Sequence, residues 1–148
     1  MKKLLVSLLL VTQFSCIGKA QENTIAIQIP TTDSLKTDTL SLLFVGDLMQ
    51  HQGQINAART TEGGYDYSSY FEYVKEEISR ADFAIANLEV TLGGKPYKGY
   101  PAFSAPDEYL TAIHNAGFNV LITANNHSLD RGRKGLERTI QLLSLIHI

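Results

Sequence analysis

Cysteine is almost missing from these 148 residues: Cys16 stands alone, so no disulfide can close within the chain. Basic charge is scarce as well. Lys and Arg number 13 against 15 Asp and Glu, and three of the lysines (Lys2, Lys3, Lys19) fall in the first 20 residues. From residue 21 onward, 10 basic residues face 15 acidic ones, a formal charge of −5 that argues against a general nucleic-acid binder. Long apolar runs are lacking too. The stretch behind Met1-Lys2-Lys3 is eight or nine residues, well short of the ~20 that a spanning helix needs. Its length and basic flank predict a secretory signal. Gly18 and Ala20 supply the two small residues of a cleavage site, which leaves the mature chain without cysteine and hence without a thiolate metal ligand. The alternative is lipid attachment at Cys16, against which Gln13 stands where an aliphatic residue is usual. Either way the chain is expected to be exported, to the periplasm or the cell surface.

What remains is ordinary for a globular domain, with 44% apolar residues. Residues 21–38 are polar and predict a linker, which leaves 39–148 as the folded part. The far end lacks a stop: the helical pattern over 133–142 runs into LSLIHI without Gly or Pro. Those last six residues (143–148) resemble one frame of a transposon-end adapter used in preparing sequencing libraries. The expectation is therefore the front portion of a longer protein, with no role for His147.

Three apolar runs end in polar residues. LSLLFVG (40–46) leads into Asp47, DFAIA (82–86) into Asn87 and Glu89, and FNVLITA (118–124) into Asn125, Asn126 and His127. Helical spacing lies between them, after His51, after Ser68-Ser69 with Tyr70, Phe71, Val74 and Ile78, and after Pro106, where Gly117 marks the stop. The order is β-α-β-α-β-α, an α/β fold. Parallel strands joined by right-handed crossovers bring their carboxyl ends to one edge, where such sheets bind ligands. Residues up to 80 positions apart are thus expected to converge.

Their chemistry suits a divalent cation. Asp47 and Glu89 are hard-oxygen donors, Asn87 and Asn126 carboxamide donors, and a histidine adds affinity for Zn²⁺ or Fe. His127 is either a ligand or a general acid near a metal-activated oxygen. Gly46 would let backbone approach Asp47 closely. Taken singly, each residue has a plainer reading, as a helix cap or a packed loop residue. Beyond them, Asp130 is placed to orient His127, and Arg131 opens a basic, glycine-containing helix start that can meet an anion or simply turn the chain. Residues 91–103, rich in Gly, Pro and Tyr, predict a surface loop and a candidate lid. All seven tyrosines lie between 65 and 109 and read either as packing or as a wall for sugar or peptide.

Together the segments LLFVGDLM (42–49), ANLEVT (86–91) and TANNHSLD (123–130), with Gly132 and Gly135, resemble the CapA family of bacterial capsule-synthesis proteins, linked to poly-γ-glutamate. The resemblance implies a metallophosphoesterase-like α/β/β/α sandwich, of which this chain holds only the first β-α-β-α-β-α portion. It implies a divalent metal (Mn, Fe, Zn or Mg), one ion or two in the full-length protein. Asn126 would be a ligand there, His127 a proton donor, and Asn125 an accessory polar group. The implied partners are the capsule polymer or its precursors and membrane capsule-synthesis proteins. A periplasmic metal-dependent phosphoesterase and a non-catalytic binding module are the other readings. Two departures stand out. Met49 occupies a position where the wider superfamily carries a histidine ligand, so Gln50 or His51 would have to substitute, and later histidine motifs have no counterpart in these residues.

Overall fold

Among the described residues three short strands carry the fold: β1 (Leu42–Leu48), β2 (Phe83–Leu88) and β3 (Val120–Ile122). They form one parallel sheet in the order β1-β2-β3. Between and after them come α1 (Gln52–Ala57), α2 (Lys75–Ser79), α3 (Asp107–Ala116) and α4 (Gly132–Leu145). This computed structural model describes residues 37–146. The expected signal, its cleavage site, Cys16, nearly all of the linker and His147 lie outside them.

Adding strands in one direction with right-handed crossovers lays both connections on the same face of the sheet. Side chains alternate accordingly. Leu43, Ala84, Ala86 and Leu88 point toward a core shared with Ile113 of α3 and Leu143 of α4, whereas Leu42, Phe44, Phe83 and Ile122 of the opposite face are exposed.

The register explains how the carboxyl edge is assembled. Leu42, Leu43 and Phe44 pair with Phe83, Ala84 and Ile85, but Asp47 pairs with Asn87 and Leu48 with Leu88. One extra residue is therefore accommodated in β1 around Val45-Gly46, a bulge. Because side chains alternate with period two, that single insertion sends Asp47 to the same face as Asn87 and keeps Leu48 in the core. Gly46 belongs to the bulge, and a Cβ there would meet nothing within 4 Å.

Two other sequence expectations change. The helix starting at Ser68 is confined to Lys75–Ser79. The Asp66 carboxylate accepts the Ser68 N–H at 2.8 Å, and i→i+3 bonds from Tyr70 to Tyr67 and from Val74 to Phe71 keep residues 67–74 in successive turns. The third strand is only Val120–Ile122, since Asn125 N–H turns back onto the Thr123 carbonyl. Elsewhere the signals hold. Pro106 precedes α3, Asp107 and Glu108 fill its first turn, and Gly117 ends it at φ +107°, where an added Cβ would also sit 3.0 Å from the Ser79 Cα.

Candidate site at the carboxyl edge of the sheet

Asn87 is the centre of the cluster. Its side-chain nitrogen donates to Asp47 Oδ1 at 2.8 Å and to Glu89 Oε2 at 2.9 Å, so one amide gathers a carboxylate in β1 and one just past β2. Its oxygen accepts from Asn125 Nδ2 at 3.0 Å, and the same nitrogen of Asn125 donates to the Leu88 carbonyl. Asn125 Oδ1 in turn accepts the His127 N–H at 3.0 Å. The loop after β3 is thereby bolted to the end of β2 before the imidazole is reached.

His127 is held from two sides. Its Nδ1 lies 2.9 Å from Asp130 Oδ2, an oxygen that also accepts the Phe103 N–H at 2.8 Å. An ionised carboxylate only accepts, so Nδ1 carries the proton and Nε2 is directed toward Glu89 Oε1, at 3.9 Å and beyond hydrogen-bond length. The side chains of His127 and Glu89 are each 15% exposed. Phe103 stands edge-on to His127, with centroids 4.7 Å apart, and to His51, at 5.3 Å. Nothing in the sequence marked Phe103 as part of this cluster, because it ends a stretch that reads as surface loop.

That loop is a fixed wall. Ala105 N–H bonds the Thr91 carbonyl, Lys98 and Ser104 exchange backbone hydrogen bonds, and Arg131 Nη1 donates to the Pro96 carbonyl at 3.0 Å. The stem of Arg131 runs against Gly93 and Gly135, where added Cβ atoms would sit 2.5 and 2.4 Å from it. Arg131 thus serves to pin the loop, and the glycines beside it are slots for its side chain.

Of the residues singled out in the sequence, Asp47, Asn87, Glu89, Asn125, His127 and Asp130 come together. Asn126 is exposed and stands outside the hydrogen-bonded cluster, with Asn125 taking the inward place. Met49 packs on the core. The two neighbours named as stand-ins for the missing histidine are placed differently. Gln50 is buried with its Oε1 bonded to the Tyr67 hydroxyl at 2.7 Å, and exposed His51 opens α1 with its N–H on Gln54 Oε1. Burial pushes the Tyr67 phenol well above its usual range, so it stays protonated and keeps donating.

Two carboxylates beside an imidazole have the donor chemistry of a divalent-cation site. Among the described residues, no three His, Cys, Asp or Glu side chains form a set that could hold a metal by themselves. The residues fit such an ion in kind, with Asp47 and Glu89 as its oxygen donors.

Comparison with known proteins agrees with the motifs. Residues 41–148 match the family model described as bacterial capsule synthesis protein PGA_cap. The capsule biosynthesis protein CapA of Bacillus anthracis is 32% identical over 114 residues, covering 72% of this chain and 26% of that protein. The PGA biosynthesis protein CapA of Bacillus subtilis (strain 168) is 31% identical over 132 residues, covering 86% of this chain and 32% of the relative. The chain therefore spans about a quarter to a third of the length of these curated relatives.

Proposed function

This chain belongs to the bacterial capsule synthesis protein family, and from that premise we propose that it acts, once exported, in making or anchoring an anionic capsule polymer such as poly-γ-glutamate. The observation that carries the proposal is the gathering of Asp47 and Glu89 on Asn87 beside the Asp130-held imidazole of His127. Capsule polymer or its precursors would be the ligand, and membrane capsule-synthesis proteins the partners.

Asp47 and Glu89 are the residues that would hold a divalent cation. Such an ion, when bound, supplies Lewis-acid polarisation of a substrate oxygen. The protein's own groups do the rest. Asp130 fixes the tautomer, so Nε2 is the atom that takes up or delivers a proton on the side of Glu89. Asn87 and Asn125 keep the two carboxylates and the imidazole in register, and the buried ring of Phe103 shields one side of His127 from water.

The same donor set favours a second reading, a periplasmic metal-dependent phosphoesterase. Gene replacement in an encapsulated host tests both. Glu89→Gln and His127→Gln in the full-length protein should each lower surface polymer at least tenfold at unchanged protein level. Unchanged polymer, with Mn²⁺-dependent hydrolysis of p-nitrophenyl phosphate lost in the variants, would move the assignment to the phosphoesterase. Unchanged polymer without any hydrolysis would leave a non-catalytic binding module.

A further inference from the structure

A cavity of about 360 Å³ opens between the 65–71 turns and α3, sharing no residue with the carboxyl-edge cluster. We propose that it binds a single neutral sugar ring, of the N-acetylated amino-sugar type. Its volume sits at the lower end of the range for small-molecule pockets, enough for one ring and little more.

The lining is divided. Tyr65, Phe71 and Ala112 give half-buried apolar surface, with buried Ala116 and Tyr67 behind them. Tyr65 and Tyr67, two apart in the chain, hold their rings 13° from parallel with centroids 6.5 Å apart. The Tyr67 hydroxyl is committed to Gln50 and the residue is buried, so it backs the floor and offers the cavity no free donor. The rim is polar and exposed. Asp66 and Glu108 supply acceptors, Lys75 a donor, and Asn115 both.

A floor of ring and methyl surface beneath a rim of hydrogen-bonding groups is what a pyranose requires, with its apolar C–H face below and hydroxyls around it. Both signs of charge on the rim, with acid in excess, disfavour a polyanion, since each carboxylate of such a polymer would meet Asp66 or Glu108 as well as Lys75. The acetamide of an amino sugar adds a planar donor–acceptor pair suited to Asn115 and a methyl suited to Ala112. This assignment gives the tyrosine-rich 65–109 segment a use that the strand-end chemistry does not.

The test is titration calorimetry of the full-length protein with the β-linked trimer of N-acetylglucosamine, with poly-γ-glutamate as the competing probe. The trimer should bind. Ala112→Leu, which fills the floor, and Asn115→Ala, which removes an exposed rim amide, should each weaken it at least tenfold at unchanged melting temperature. No binding of the trimer at millimolar concentration would overturn the proposal. Equal binding by wild type and both variants would also overturn it, as would displacement of the trimer by poly-γ-glutamate. Loss of capsule polymer on Glu89→Gln with trimer binding intact would show that the two sites stand or fall separately.

Discussion

The two faces of the three-stranded sheet are built from the same strands and differ in almost everything else. On the covered face, β2 offers Ala84 and Ala86, 0% and 1% exposed, to an interior completed by Ile113 and Leu143. On the open face Leu42, Phe44, Phe83 and Ile122 keep 43–70% of their surface exposed. Register makes Asn87 a member of the open face, two residues past Ile85, and the β1 bulge turns Asp47 to the same side. Stability is therefore concentrated on one face, while the polar cluster is an extension of the other. A substitution should be felt as unfolding on the first and as altered chemistry or solubility on the second.

The sharpest test of that division is Ile113→Ala. Ile113 is fully buried where α3 meets the sheet, and its loss should cost about 2–5 kcal/mol in urea unfolding. Ala86→Leu follows at about 1–3 kcal/mol, because Ala86 is 1% exposed and the larger side chain would overpack the interior. If either proved neutral, the covered face would not be the packed core that its burial indicates.

Asn87→Asp probes the seam between the faces. The substitution exchanges the amide that donates to Asp47 and Glu89 for a third carboxylate. Like charges raise the folded-state pKa values of the group above those of the unfolded chain, so protonation favours the folded form. The variant should be destabilised by about 1–3 kcal/mol at pH 7 and recover as pH falls through the carboxylate range. Flat stability between pH 4 and pH 7 would mean that the three side chains do not share the site as closely as 2.8–2.9 Å bonds require.

How much of this was legible in the sequence follows from the same geometry. Apolar runs that end in Asp47, Asn87 and His127 announce a parallel sheet with a polar edge, because three strand ends can converge only if their crossovers share a hand. What the spacing could not convey was register. A one-residue bulge at Val45-Gly46 decides which face Asp47 occupies, and a one-residue difference in the loop decides that Asn125, not Asn126, meets Asn87. The Asp66 turn that shortens α2, and Phe103 wedged between two imidazoles, depend on contacts 2 to 52 residues apart with no periodic signature. The basic, glycine-containing helix start left Arg131 open between an anion contact and a plain turn, because its charge is visible in sequence whereas the Pro96 carbonyl and the two glycine slots that hold it are not.

The smallest expected effect is the most instructive about the open face. Phe44 is 70% exposed, so Phe44→Ser in this chain should change unfolding free energy by no more than about 0.5 kcal/mol while raising solubility by removing an exposed apolar ring. The relatives are three to four times longer than the part matched here, so the same substitution can be made in the full-length protein. If further sheet or helix packs against Leu42, Phe44 and Phe83 there, the cost should rise to about 3–5 kcal/mol, the range for a buried Phe, because the ring then leaves a cavity. A cost that stays below ~0.5 kcal/mol in both lengths would mean that the open face is solvent-facing in the whole protein, and the contrast between the two faces would be permanent.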